Sequence, residues 1–330
     1  MLRAPTLALD LGNANTRVYH PGRGVVVDEP SLVALGGTDR SLTATGSPVK
    51  AMLGRSHAGV VPIHPLRHGV VFELDATERM LRAFIHAAGG GRHPRLLVSV
   101  PADTTSVERR SVEQAAHSCG ASSVTVIEEP MAAAIGAGLP VERPLGGMLV
   151  DVGAGITESV VVSMGGIVTA RSVRIAGDDM DEAIAEHVLS RHGVAIGLPT
   201  AERVKIAIGS THNRHPEATT VVVGVHRASG LPRHVTLTAA EVSHALEPAV
   251  RAIVGVVVAT LESTPPELSA DLAQSGMMMT GGLARLRGLP ERVANETGVT
   301  VTVSPRPDRA VVDGSGRCVE EPRFLAAIAR

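Results

Sequence analysis

Aromatic side chains are almost missing from this sequence of 330 residues, which has one Tyr, three Phe and no Trp. Proteins that bind single-stranded nucleic acid stack the bases on such side chains. The 31 basic and 33 acidic residues nearly cancel, so the charge balance indicates no basic surface for a nucleic acid either. We therefore expect no nucleic-acid partner.

Cysteine is also scarce, since the chain holds only Cys119 and Cys318. Two distant cysteines predict neither a disulfide framework nor a cysteine metal site, and this usage is typical of a reducing compartment. The fourteen His residues are interpreted as surface or core residues, not as metal ligands.

Long apolar runs are missing as well. The opening apolar run is interrupted at Asp10, which does not fit a secretory signal, so we expect a cytoplasmic protein. The longest candidate span, Ile253 to Leu261, has nine residues, whereas a membrane helix needs about 20. This span predicts a buried helix.

The sequence does contain one pattern twice, in residues 7–18 and 148–159. An apolar run ends in an Asp, a Gly follows two residues later and a Thr six residues later, which predicts a hairpin. A single turn of this kind is usually only structural. Two copies at identical spacing indicate two similar halves with a phosphate-bearing ligand between them. The positions are Asp10, Gly12 and Thr16 in the first copy and Asp151, Gly153 and Thr157 in the second.

The residue types of these turns suit phosphate and magnesium. Small side chains let backbone amides and Thr hydroxyls reach phosphate oxygens, while Asp10 and Asp151 can hold Mg²⁺, through water. A further turn at Gly281-Gly282 allows close backbone approach. Gly177, before a predicted helix, offers amides to an anion.

Strands alternate with helices along the chain, which predicts an α/β sheet. Glu129 lies where a strand becomes a helix. It is either a surface acid favoured by the helix dipole or the group that orients an attacking water, and its spacing leaves both interpretations open. Glu202 and Lys205 share one helix face, where such a pair is more often solvated than a ligand clamp.

Several stretches resemble the MreB family of bacterial actin homologues. The resemblance implies an α/β, actin-like (ribonuclease H-like) duplicated fold, with two domains, a smaller inserted subdomain in each and a nucleotide cleft between them. The implied domains are residues 1–139, with an insertion at about 31–74, and residues 140–330, with an insertion at about 178–238. The similar stretches are residues 9–33, 50–55, 77–82, 127–140 and 176–184.

The resemblance also implies ATP or ADP with Mg²⁺ in the cleft. By position, Glu129 matches the hydrolytic acid, Asp151 and Thr157 assist catalysis, and Asp10 and Asp151 hold the metal. The implied nucleotide contacts are Asp10, Gly12, Asn13, Ala14, Asn15 and Thr16 in a first loop, Gly153, Ala154 and Gly155 in a second, Gly177, Glu202 and Lys205 near the nucleoside, and Gly281, Gly282, Leu283 and Ala284 in an adenosine loop.

The chain departs from the family pattern at a few of these positions. Asn13 replaces a Thr, Ala154 and Leu283 each replace a Gly, Arg285 replaces an apolar residue, and Ala207 replaces an acid. Each change adds a side chain or removes a polar group where backbone approaches the ligand closely. These departures predict weaker nucleotide affinity and slow hydrolysis.

The function that the resemblance implies is an ATP-dependent filament, a polymer of this chain, that organises cell-wall synthesis together with membrane proteins at the inner face of the membrane. The loop at residues 89–94 lacks the apolar anchor of the family, so direct membrane insertion is not expected. Two alternatives stay open. One is a nucleotide-binding scaffold with weakened or lost ATPase activity, and the other is a small-molecule kinase of the same superfamily.

Overall fold

The computed structural model describes residues 6–37, 40–55, 59–212 and 217–328. The ends of the two predicted domains, residues 1–5 and 329–330, lie outside the described residues, as do residues 38–39 and 56–58 of the first predicted insertion and 213–216 of the second. The bounds of the domains and insertions stay a prediction.

The first half of the chain builds a mixed sheet that is covered by helices, with a smaller sheet beside it. Its elements are β1 (Thr6–Leu11), β2 (Asn15–His20), β3 (Gly24–Pro30), β4 (Val33–Gly36), β5 (Ser41–Thr45), α1 (Ser47–Met52), β6 (Val60–Ile63), β7 (Leu66–Arg67), β8 (Val70–Val71), α2 (Leu74–Ala87), β9 (Arg95–Val100), α3 (Ser106–Ser118), β10 (Ser123–Glu128) and α4 (Glu129–Gly136).

The second half builds a sheet of the same size and another small sheet. Its elements are β11 (Gly147–Val152), β12 (Thr157–Ser163), β13 (Gly166–Val173), α5 (Gly177–His192), β14 (Val194–Ala195), α6 (Leu198–Ile208), β15 (Thr219–His226), β16 (Pro232–Thr238), α7 (Ala239–Glu262), α8 (Pro266–Ser275), β17 (Met277–Thr280), a 3₁₀ turn (Gly282–Arg285), α9 (Leu289–Thr297), β18 (Val301–Val303), a second 3₁₀ turn (Pro307–Arg309), α10 (Ala310–Glu320) and α11 (Pro322–Ile328).

The two large sheets have the same strand order. The first runs β3-β2-β1-β9-β10 and the second runs β13-β12-β11-β17-β18. In each sheet the first three strands are antiparallel, and the last two are parallel to the central strand. This equivalence is the duplication that the repeated Asp–Gly–Thr pattern predicts.

Central strand β1 is buried on both faces. Leu7 and Leu9 pack into the core beneath α2 and α3, whereas Ala8 packs on the opposite face with α4. Since side chains alternate along a strand, a nearly continuous apolar run is needed to cover both faces. Asp10, the first charged residue of this run, lies near the carboxyl end of β1.

The last helices join the two halves. Helix α10 packs against α4 and β1 of the first half, with Ala310 and Cys318 in the same apolar cluster as Met131 and Ile135. The cluster also contains Leu149 of β11. The two sheets are thus connected by one shared core below the cleft that separates their hairpins.

Helix α7 is long and apolar enough, by length and composition, to cross a membrane. In the structure its apolar face lies in the core of the second half, with Leu246, Ile253 and Val257 buried. A core helix passes the same test of length and composition. The predicted buried helix around residues 253–261 is therefore confirmed.

Candidate functional site

The two hairpins have the same register. Asp10 of β1 lies opposite Arg17 of β2, and Asp151 of β11 lies opposite Glu158 of β12. Both turns open onto one cavity of about 570 Å³ between the halves of the molecule. The structure thus brings the two predicted phosphate turns to a common cleft.

Most of the predicted site residues line this cavity, and a few do not. Arg17, Lys50, Asp178 and Asp181 also line it, although the sequence analysis gave them no role. The predicted residues at the cavity are Asp10, Gly12, Asn13, Ala14, Asn15, Glu129, Asp151, Gly153, Ala154, Gly155, Gly177, Glu202, Lys205, Gly281, Gly282 and Leu283.

The Thr hydroxyls of the repeated pattern differ from expectation. Thr16 and Thr157 are fully buried and are not among the cavity residues. Thr16 Oγ1 lies 2.8 Å from Ser31 Oγ, and Thr157 Oγ1 donates to the carbonyl of Ile175 at 2.8 Å. Side chains alternate along a strand, so the residue next to Arg17 or Glu158 points away from the side that carries the Asp. The prediction that these hydroxyls face phosphate is corrected to a role inside each half.

The amides at the start of α5 are another correction. Gly177 N–H donates to Gly153 O at 3.3 Å, and Asp178 N–H donates to Ala154 O at 2.7 Å. The sequence analysis expected these amides to bind an anion. In the structure they bind the second loop instead. Gly177 lines the cavity through its position beside that loop.

Asn13 connects the two loops. Its Oδ1 accepts the N–H of Gly69 at 2.8 Å, and its amide fills the space that a Cβ on Gly155 would need. His68 Nδ1 donates to Gly155 O at 3.1 Å. A side chain at position 155 would therefore displace Asn13, because the side chain from the first loop packs directly on the Gly155 backbone.

The turn at Gly281 is shaped by a close backbone approach. Gly281 has φ of 84°, and a Cβ there would overlap the backbone of Val152. Its N–H donates to Pro307 O at 2.8 Å. A single 3₁₀ turn follows, in which Leu283 lines the cavity, whereas Ala284 is buried and does not line it.

Glu202 and Lys205 share a helix face but pair with other residues. Lys205 Nζ lies 2.9 Å from Asp181 Oδ1 and donates to Gly177 O at 2.6 Å, in a nearly buried environment. Glu202 pairs with Lys50 at 3.2 Å, where both side chains are more than a third exposed. The interpretation of 202 and 205 as one solvated pair is wrong, because α5 and α1 bring closer partners.

Four buried carboxyl groups gather at the base of the cleft: Asp10, Glu129, Asp151 and Glu158. Burial raises the pKa of Asp10 to about 7, against the lowering effect of Arg17, and raises the pKa of Glu158 to about 8. Burial, together with the other acids, raises the pKa of Glu129 well above its usual value. Burial likewise raises the pKa of Asp151, which the hydroxyl of Thr280 counteracts by donating to Oδ1 at 2.6 Å.

This cluster fits a hard divalent cation. Carboxylate oxygens are ligands that Mg²⁺ prefers. A bound cation would also offset the repulsion between the four buried acids. Glu158 Oε2 is buried without a hydrogen-bond partner among the described residues, whereas Oε1 accepts the N–H of Ala102 at 2.7 Å. The donor chemistry is therefore compatible with the predicted metal at Asp10 and Asp151.

Sequence reasoning missed Arg17 and Glu158 as parts of the site. The signal was available, because in a tight hairpin the residue opposite the Asp can be counted from the turn. Asp181 and Lys50 carried no such signal, since only the packing of α5 and α1 brings them to the cleft.

Two equivalent sheets, each ending in an Asp-bearing hairpin at a shared cavity, define a protein of the actin-like class. The chain belongs to the MreB/Mbl family, since the family model described as MreB/Mbl protein matches residues 4–326. It is 43% identical over 322 residues to the cell shape-determining protein MreB of Escherichia coli (strain K12), covering 95% of this chain and 93% of that one. The cell shape-determining protein Mbl of Bacillus subtilis (strain 168) is 40% identical over 318 residues, covering 95% of each chain.

Solved structures give the same result. The crystal structure of MreB5 of Spiroplasma citri bound to ADP matches with a TM-score of 0.92 at 32% identity, covering 99% of this chain and 98% of that one. The same protein bound to AMPPNP also matches with a TM-score of 0.92. The predicted MreB resemblance and the predicted actin-like fold are confirmed.

Proposed function

We propose that this chain is a cell shape-determining, actin-like protein that binds ATP or ADP with Mg²⁺ in the cleft, hydrolyses ATP slowly and assembles with copies of itself. The observation that carries the proposal is the pair of hairpins in equal register at one cavity. A relative of the same fold, MreB5 of Spiroplasma citri, binds ADP and AMPPNP. We place the protein in the cytoplasm, with wall-synthesis proteins holding it at the membrane.

In this proposal the residues of the cleft have separate roles. The backbones of Gly12 and Gly153 would approach the phosphates, and Asp10 and Asp151 would hold Mg²⁺ through water. Bound Mg²⁺ would supply positive charge that offsets the phosphates and the buried acids. Glu129 orients the attacking water and accepts its proton, for which its carboxyl must be ionised. Because burial and the neighbouring acids raise its pKa, the positive charge that Mg²⁺ would supply favours this ionisation.

The catalytic role is tested with Glu129→Gln, which keeps the shape of the side chain and removes the carboxylate. We expect ATP binding to stay within a fewfold of wild type and phosphate release to fall by about 100-fold. Glu128→Gln, next to it and only half-buried, is the matched control and should keep wild-type rates. Equal ATPase rates in all three proteins would remove Glu129 from the mechanism.

Self-assembly is supported by an exposed apolar stripe on the small sheet of the second half. Val221, Val223 and Val225 of β15 alternate with inward-facing residues, and each is more than half exposed. Such a stripe is costly in water and is typical of a protein interface. In this proposal a second copy of the chain covers it.

The stripe is tested with Val223→Glu. We expect ATP-Mg²⁺-dependent pelleting to be lost and ATP binding to be unchanged, because a carboxylate cannot be buried there without a partner. Val107→Glu, at an equally exposed Val on α3, is the control and should pellet normally. Unchanged pelleting of Val223→Glu would place the self-contact elsewhere.

The alternatives give different results in the same assays. A nucleotide-binding scaffold would release little or no phosphate, and a lack of ATP binding at about millimolar nucleotide would rule out the ATP-dependent filament and leave only a scaffold. A kinase would phosphorylate a metabolite without pelleting. The departures at Asn13, Ala154 and Leu283 favour a slow ATPase over a fast one, since each places a side chain at the cavity.

A further inference from the structure

A second group of metal-ligating side chains lies outside the cleft. His187 and His192 near the end of α5 and Glu241 near the start of α7 each offer one ligand atom, and these atoms all lie within 4.8 Å of one another. His187 and His192 are therefore candidate metal ligands, whereas the sequence analysis interpreted the His residues as non-ligands. His187 is ten residues along α5 from Gly177, roughly 15 Å by helical rise, so the group is separate from the nucleotide cleft.

The fold holds these side chains in place. Gly193, in the left-handed conformation with φ of 66°, ends α5 just after His192. Thr238 and Glu241 form a capping box at the start of α7. Glu241 Oε2 accepts the N–H and the hydroxyl of Thr238, both at 3.0 Å. The capping bonds leave Oε1 directed at His192 Nε2, 3.2 Å away.

The two imidazole nitrogens differ in their partners. Nε2 of His187 is buried and makes no hydrogen bond with any described residue, whereas Nε2 of His192 is buried beside Glu241 Oε1. The ion pair of His192 with Glu241 needs a protonated imidazole, whereas metal ligation needs a neutral one.

We propose that His187, His192 and Glu241 bind one divalent transition-metal ion, with zinc as the best match, and thereby tie the end of α5 to the start of α7. Two nitrogens and one carboxylate oxygen are a borderline donor set that suits Zn²⁺ better than Mg²⁺ or Ca²⁺. Zinc bonds of about 2.1 Å put tetrahedral ligand atoms about 3.4 Å apart. The 3.2 Å between His192 and Glu241 is close to that spacing, and the partly exposed position admits water as a fourth ligand.

The test is zinc titration calorimetry on tag-free, nucleotide-free protein in excess Mg²⁺, so that the acids of the cleft are occupied. We expect one zinc ion per chain and a higher melting temperature with zinc. His187→Gln and His192→Gln should each weaken zinc binding by at least about tenfold, since even outer-shell substitutions cost that much. Glu241→Gln should also weaken it while keeping the capping box, which accepts Gln.

His117→Gln is the matched control, because His117 is an exposed His in the last helical turn of α3 and lies outside the group. It should bind zinc like wild type. A melting temperature like that of wild type in the absence of zinc shows that each variant is folded, and neither this control nor the titration needs a bound nucleotide. The proposal is overturned if His192→Gln binds zinc as tightly as wild type, or if wild type shows no binding below about 1 mM zinc.

Discussion

The two hairpins of the cleft agree in backbone register and differ in charge. In the first, the guanidinium of Arg17 stands opposite Asp10, with Nη1 3.7 Å from Oδ2. In the second, Glu158 stands opposite Asp151, and the neighbour of Asp151 is the hydroxyl of Thr280. A buried acid therefore has a cation beside it in the first half, and a second acid and a hydroxyl beside it in the second.

This difference shows that duplication of a fold need not duplicate its electrostatics. In the first half Arg17 offsets part of the cost of the buried Asp10, whose pKa is still raised to about 7, whereas a second acid and a hydroxyl, and not a cation, lie beside Asp151 in the second half. In the nucleotide-free protein, the unfavourable free energy of burying acids should therefore come mainly from the second half. Four substitutions test this comparison.

Arg17→Met removes the cation of the first half and should have the largest effect. We expect the free energy of unfolding of the nucleotide-free protein to fall by about 3 kcal/mol at pH 8, because the ion pairs of Arg17 with Asp10 and Asp28 are lost and buried Asp10 must take up a proton or stay charged without a partner. Urea denaturation in EDTA measures it. Arg251→Met, from an exposed pair with Glu247, is the control and should change stability by under about 0.5 kcal/mol. Equal losses in the two variants would contradict the comparison.

Glu158→Gln should instead stabilise the second half. The folded pKa of Glu158, about 8, exceeds its unfolded value, so the folded state keeps a proton that the unfolded chain loses. Stability that comes from this group is therefore lost as pH rises from about 4.5 to 8. In EDTA we expect the variant to match wild type at about pH 4 and to exceed it by at least about 2 kcal/mol at pH 9.

The amide of that variant still accepts the N–H of Ala102, so the hydrogen bond is preserved. Glu186→Gln, on an exposed face of α5, controls for the loss of one charge and should show no such pH dependence. A variant less stable than wild type at pH 9 would show that Glu158 is already neutralised within the apo protein.

The sequence predicted the parts of this site that depend on local pattern. Strand alternation and turn residues are local, so the two Asp–Gly hairpins, the strand that leads into Glu129 and the long helix around residues 253–261 could be inferred. The same logic predicts that Arg17 lies opposite Asp10, although the Thr hydroxyls were assigned to the wrong face. Face assignment needs the register of the hairpin as well as its spacing.

The parts that could not be predicted depend on tertiary packing. Lys205 pairs with Asp181, and Glu202 pairs with Lys50, because α5, α6 and α1 pack close together. The spacing of these residues along the chain does not predict that packing. His187 and Glu241 are brought within ligand distance in the same way. Contacts between elements far apart in sequence are the ones that periodicity cannot supply.

Thr280→Val removes the hydroxyl that supports Asp151 with little change in side-chain shape. We expect the nucleotide-free protein to lose about 1.5 kcal/mol at pH 8, because a hydrogen bond to a buried charged group is lost and the pKa of Asp151 rises further. Thr125→Val, at an exposed position of β10, is the control for the strand environment. Similar urea curves for Thr280→Val and wild type would mean that Asp151 is already protonated at that pH.

Lys50→Met tests the exposed contact between the halves and should have the smallest effect. Lys50 of α1 and Glu202 of α6 pair at 3.2 Å across the cavity, with side chains 48% and 37% exposed. Such a pair stabilises a protein by less than about 0.5 kcal/mol, so urea denaturation should barely change. If the pair forms only when the cleft is closed, its loss in Lys50→Met would speed release of a fluorescent ADP analogue by about twofold.

The release rate in stopped flow distinguishes this pair from the buried charges below it. Raising the salt concentration should remove the difference between Lys50→Met and wild type, because exposed pairs are screened, while the effects of Arg17 and Glu158 persist. Arg55→Met takes one positive charge from the same region of the first half and should leave ADP release unchanged. If Arg55→Met speeds release as much as Lys50→Met does, the general charge of that region, and not the pair with Glu202, governs opening of the cleft.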